Sequence, residues 1–160
     1  MNRSHDAGFT LLELMVVVLV ISLAMGLAYP ALSRGTSAIH LRATARDILN
    51  TFRYAREKAV TEQAGMRVAV YRDRQELVLT DDFGTGNRRY VLPRDVRIER
   101  ILLSGVEVTE GPLLVRFIPN GSSDDAQVLL KSKTGAYLRV MTDPITGGAR
   151  VESGQGDNIQ

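Results

Sequence analysis

The sequence has no cysteine, no tryptophan and only two histidines. Without cysteine there is no disulfide, no thiolate catalysis and no cysteine-ligated zinc, so packing alone must hold the fold. That absence is compatible with any compartment. His5 and His40 are poor material for acid–base chemistry, and His40 stands without an evident acidic neighbour in the sequence. No nucleophile motif, glycine-rich phosphate loop or metal-ligand cluster is present, which argues against an enzyme and against a bound cofactor or metal. An excess of one charge is missing too. Lys plus Arg number 20 against 18 for Asp plus Glu, too even a balance to imply nucleic-acid binding. The length, 160 residues, suits one domain with a modest core.

What the chain does have is one apolar block. After a short polar leader, Met1 to Gly8, the chain is apolar from Phe9 to Tyr29, and Pro30 follows. A helix over this block would be about 31 Å long at about 1.5 Å per residue, close to a hydrocarbon core of roughly 30 Å. Glu13 interrupts it near its start. At depth an acid costs on the order of 2–3 kcal/mol, so it calls for a partner or a function unless it sits at the headgroup level. Three readings compete. One is a secretory signal peptide cut near Ala24-Met25-Gly26 or Gly26-Leu27-Ala28. Another is a plain single-span anchor. The third is a prepilin-type signal.

Gly8-Phe9-Thr10-Leu11-Leu12-Glu13, followed at once by the apolar run, resembles the class III signal shared by type IV pilins and type II secretion pseudopilins. That resemblance implies cleavage by a prepilin peptidase between Gly8 and Phe9, and N-methylation of Phe9. It places Glu13 fifth in the mature chain, where it would pair with the Phe9 amine of a neighbouring subunit during assembly. A carboxylate and an amine are each costly in a membrane and tolerable together. It also implies a single-pass protein of the bacterial inner membrane, with residues 9–30 spanning and the C-terminal domain periplasmic. Charge alone leaves the orientation open, because Arg34, Arg42 and Arg46 follow the span while only Arg3 precedes it.

Beyond Pro30, which is expected to kink a helix that continues, Leu41, Ala45, Ile48, Leu49, Phe52, Ala55 and Ala59 follow helical spacing. This predicts an amphipathic helix to about Gln63 within a 31–65 segment, with Gly65 as its C-cap. Residues 66–152 read as antiparallel β structure. The predicted strands are Met66–Tyr71, Glu76–Thr80, Arg89–Leu92, Val96–Leu103, Gly105–Thr109, Leu113–Ile118, Gln127–Lys131, Ala136–Met141 and Ala149–Glu152. Arg72 to Gln75 reads as a tight turn, Asp81 to Asn87 as a loop, and residues 153–160 as a polar, frayed tail. The expected fold class is α+β, a long helix packed on an antiparallel sheet or β-sandwich.

The second half carries its own likeness. Phe117-Ile118-Pro119-Asn120-Gly121, Val128-Leu129-Leu130, Tyr137-Leu138-Arg139-Val140 and Thr146-Gly147-Gly148-Ala149-Arg150-Val151 resemble the C-terminal pattern of the GspH/FimT group. That group holds the H-type minor pseudopilin of type II secretion and certain minor type IV pilins. It implies a structural subunit near the pseudopilus tip that helps export folded proteins, with other minor and major pseudopilins as partners. A minor type IV pilin, in pilus assembly or DNA uptake, is the alternative. DNA-binding members of the group carry Gly-Arg-x-Arg near the C-terminus; here Gly147-Gly148-Ala149-Arg150 lacks the first arginine, and Glu152 dilutes the second. The run Arg88, Arg89, Arg94, Arg97 and Arg100 is diluted by Asp95 and Glu99 and reads as a solvated strand edge. Asp81-Asp82 and Asp124-Asp125 could hold calcium only outside EF-hand spacing and read as solvated loop acids.

Overall fold

The computed structural model describes residues 9–82 and 88–154, with the side chains of 26–35 left aside. The leader through Gly8, most of the expected 81–87 loop and the tail from residue 155 lie outside the described residues. One helix, α1, covers Leu11–Thr61 and stays helical through position 30. Residues cluster into two compact units, Met1–Thr36 and Ser37–Gln160.

In the second unit the helical periodicity becomes a buried stripe. Leu41, Ala45, Ile48, Phe52, Ala55 and Ala59 are all nearly inaccessible to solvent. Three of these six are alanines, which let the strands approach the helix closely. The first sheet runs β3 (Arg88–Val91), β2 (Glu76–Asp81), β1 (Met66–Tyr71), β6 (Leu113–Phe117). The second runs β5 (Val106–Glu107), β4 (Val96–Leu103), β7 (Ala126–Ser132), β8 (Tyr137–Thr142), β9 (Ala149–Gly154). Every pairing is antiparallel. The alternation along the strands sets the register: Met66, Val68 and Val70 lie opposite Phe117, Val115 and Leu113, and all six are buried. Phe52 of α1 meets Phe117 of β6 with ring centroids 5.9 Å apart and planes tilted by 46°. The fold is thus α+β, a helix packed on two antiparallel sheets.

Gln75 links the two sheets. It sits in the β1–β2 turn with φ +53°. Its side-chain oxygen accepts from Ile98 N at 2.6 Å, while its amide nitrogen donates to Ile98 O at 3.3 Å, so an amide side chain pairs with β4 as another strand would.

The helix terminus departs from expectation. α1 ends at Thr61, and the left-handed residue behind it is Gln63, with φ +51°. Gln63 Nε2 donates to Val60 O at 2.7 Å and satisfies a carbonyl that the helix end leaves free. Gly65 has a different job: a Cβ there would lie 2.1 Å from Asp82 Oδ2. Its small size admits Asp82, whose N–H donates to Gly65 O at 3.1 Å. Most other strand limits move by one residue, and two move further. Strand β5 keeps only Val106–Glu107, and β9 runs on to Gly154, paired with Tyr137.

Candidate assembly site

Phe9 and Thr10 precede the helix. Thr10 is its N-cap: Thr10 Oγ1 accepts from Glu13 N at 3.3 Å and Thr10 O from Leu14 N at 3.3 Å. Thr10-Leu11-Leu12-Glu13 is therefore a capping-box sequence, and Ser/Thr followed three residues later by Glu was the signal that would have found it. The same Glu13 lies in the first turn, where a negative charge is favoured by the unpaired N–H groups. Among the described residues its carboxylate has no hydrogen-bond or ion-pair partner. Phe9 and Glu13 stand four residues apart in the sequence, and Gly8 lies outside the described residues.

Around Glu13 the helix is apolar on every side. The large apolar side chains from Leu11 to Met25 are 45% to 79% exposed. The hydroxyl of Ser22 is turned back onto Val18 O at 2.7 Å, which spares this surface an unpaired donor. No helix among the described residues is long and apolar enough to cross a membrane. Leu11 to Met25 accounts for about 21 Å at about 1.5 Å per residue, and a bilayer core is roughly 30 Å.

The C-terminal motif residues converge on one arginine that the sequence reading passed over. Arg56, on α1, donates from Nε to Thr146 O at 2.7 Å and to Gly121 O at 3.2 Å. It ties the Pro119-Asn120-Gly121 turn and the Asp143–Gly148 turn to the helix. Gly121 takes a positive φ, +92°. Gly147, at φ +60°, must be glycine twice over, because a Cβ there would lie 2.2 Å from Gly121 O. Asp143 Oδ1 closes the second turn by accepting from Ile145 N at 2.9 Å and Thr146 N at 3.0 Å. These backbone donors hold the Asp143 carboxyl below its ordinary pKa. Motif residues scattered through the last third of the sequence therefore share one structural task.

His40 does have an acidic neighbour. Its Nδ1 lies 3.0 Å from Asp95 Oδ2, and Lys133 Nζ lies 2.6 Å from Asp95 Oδ1. The hydrogen bond from Lys133, then that from His40, holds Asp95 below the usual carboxylate range. The 55 residues between His40 and Asp95 hid the contact from any local reading. Most of the basic run is neutralised in place: Arg89 pairs with buried Glu76, Arg97 with Glu99 and Arg100 with Glu107, while Arg88 lies over the Tyr54 ring. Arg150 pairs with Glu152 at 2.8 Å. Of the acidic pairs, Asp124 accepts from Arg116 Nε and Arg116 N, both at 3.0 Å. Burial pushes the Asp124 carboxyl up, but Arg116 outweighs it and the net shift is downward. Asp82 pairs with Arg67 at 2.9 Å. Among the described residues no three His, Cys, Asp or Glu side chains gather into a metal site.

With this geometry in hand, residues 3–29 match the family model described as the prokaryotic N-terminal methylation motif. No curated protein matches the sequence. Two solved structures of the minor pseudopilin EpsH, from the type II secretion system of Vibrio cholerae, are similar to the chain. Both align with a TM-score of 0.59 at 14% identity over 74% of this chain, and cover 99% and 97% of their own length. At that identity the likeness is one of fold. The chain joins a methylation-type N-terminus to a fold shared with a type II secretion minor pseudopilin.

Proposed function

We propose that this chain is a minor pseudopilin, a structural subunit of a type II secretion pseudopilus rather than an enzyme. A prepilin peptidase would cut it between Gly8 and Phe9 and methylate Phe9. The apolar block Phe9–Tyr29 would hold it in the bacterial inner membrane as a single span, with the β domain in the periplasm. It would assemble with other minor and major pseudopilins, near the tip, to help export folded proteins. One observation carries this reading: Glu13, without a partner among the described residues, stands four residues from Phe9 at the start of an all-round apolar helix. An acid in that setting needs a cation from outside the chain, and the amine freed at a neighbour's Phe9 is one.

A minor type IV pilin that captures DNA is the other reading of the same motifs. The Arg150–Glu152 pair and the neutralised arginine run speak against it, since phosphate affinity scales with the charges left to neutralise it. The deciding measurement is the intact mass of the protein made beside a prepilin peptidase. The expected product begins at N-methylated Phe9. A product beginning after Ala28 would overturn the reading and make this an ordinary exported domain. Glu13→Ala is expected to insert into the membrane normally and to be lost from assembled filaments.

A further inference from the structure

The arginines of the strands mostly hold carboxylates, as Arg67 holds Asp82, Arg97 holds Glu99 and Arg116 holds Asp124. Those of α1 differ. Arg42, Arg46 and Arg53 are exposed, and among the described residues none has a hydrogen-bond, ion-pair or ring partner. At 3.6 residues per turn the three fall within about 40° of one another and span about 16 Å along the axis. They lie roughly 120° from the buried stripe centred on Phe52. Like charges one turn apart on a helix destabilise it, so the stripe works against the fold that carries it. Exposed Ile39 and Val60 stand near its two ends, giving a strip of cations with apolar margins.

The chemistry of the stripe narrows its occupant. All three residues are arginine, the cation enriched at protein interfaces, whereas lysine is depleted there. Its planar fork binds carboxylates two bonds at a time. Glu57 sits one turn beyond Arg53 on nearly the same face. That acid breaks a field that a uniform phosphate chain would follow, while a folded surface can answer three cations and one anion in sequence. A second copy of this chain fits poorly, because its strand carboxylates are already engaged. We infer that the Arg42–Arg46–Arg53 stripe is a docking surface for a different pilin-like subunit, one that presents a helix with exposed carboxylates at matching intervals. This rests on the proposed function and names the surface through which it acts.

The test uses the full chain in cells that assemble the filament. Arg42→Glu, Arg46→Glu and Arg53→Glu together are expected to lower co-isolation with filaments by about tenfold, with N-methylation of Phe9 unchanged. The triple lysine variant should recover most of the loss. A photo-crosslinking residue at exposed Ala43, with the arginines intact, is expected to give an adduct whose mapped peptide is an acidic helical segment of another subunit. Wild-type-like assembly of the charge-reversed chain overturns the inference, as does an adduct mapped to phospholipid, nucleic acid or a second copy. If the unaltered chain is not methylated or never enters a filament, the proposed function fails and takes this surface with it. If the unaltered chain and the reversed chain both assemble, only the surface fails.

Discussion

Two stretches of α1 dispose their hydrocarbon in opposite ways. From Leu11 to Met25 the apolar side chains point in every direction and remain exposed. From Leu41 to Ala59 most fall on one stripe and are buried, with Leu49 half-buried at its edge, while charged residues occupy the other faces. A helix that is apolar all round has no partner within a small domain and needs a medium or other chains around it; an amphipathic one is completed by its own sheets. Periodicity, as well as apolar content, separates the two stretches. The comparison also assigns the polar exceptions. Among the described residues Glu13 in the first stretch has no partner, whereas Asp47 in the second accepts from Tyr90 Oη at 2.8 Å.

The comparison is broken most severely in the second stretch. Phe117→Ala would empty the space beside Phe52, and large-to-small changes of this kind cost about 3–5 kcal/mol. Thermal unfolding of the detergent-solubilised chain should show this as a large drop in Tm. Leu19→Ala, which removes an exposed side chain of the first stretch, should leave the same transition in place. Equal effects of the two would mean that the first stretch also belongs to the folded core.

The next largest effect is expected at the turns held to α1. Gly147→Ala forces a Cβ against Gly121 O and keeps a left-handed backbone without glycine, a strain on the order of 1–3 kcal/mol. Arg56→Ala would instead leave the carbonyls of Gly121 and Thr146 without their shared cationic donor, at about 1.5–3 kcal/mol. If one task joins these residues, the double variant should cost less than the sum of the singles in a double-mutant cycle.

Much of this was open to a reader of the sequence, and what stayed hidden has a common cause. Strands β1, β2 and β6 follow from alternation, because Met66, Val68, Val70, Leu77, Leu79, Val115 and Phe117 each had to face a core. The helical stripe followed from spacing in the same way. Both are local signals. Gln75 pairing with Ile98, His40 with Asp95 and Arg56 with Thr146 span 23, 55 and 90 residues, and no periodicity points across such gaps. The C-cap was misplaced for a different reason. Glycine is the usual left-handed residue, so Gly65 drew the assignment, but Gln63 could take that conformation because its side chain caps Val60 O in return. The Thr10–Glu13 box was visible and was overshadowed by the assembly role expected of Glu13.

That box gives a smaller prediction in the first stretch. Thr10→Ala removes the oxygen that accepts from Glu13 N, a loss of about 1 kcal/mol for an N-cap. Thr10→Ser keeps the oxygen and should restore the cap. Amide exchange over the first turn, measured in detergent micelles, should rise for alanine and return for serine, with no change in the β domain's Tm. A fall in that Tm for Thr10→Ala would contradict the independence of the two stretches.

The smallest effect expected is one of pH, and it belongs to the domain alone. Arg116 holds Asp124 below its ordinary pKa despite the opposing push of burial. A carboxyl depressed in the folded state lends stability above its unfolded value, near 4, and that stability disappears as pH falls through the lower folded value. Arg116 is largely exposed, so solvent screening keeps the contribution of the pair small. Asp124→Asn should therefore lower Tm slightly at pH 7, by an amount that shrinks as pH falls through the depressed folded value. Arg116→Met should show the same convergence, because either change removes the charge pair while leaving β6 buried through Leu113, Val115 and Phe117. A difference that does not shrink as pH falls would assign the effect to the neutral hydrogen bonds of the turn instead of to the ion pair.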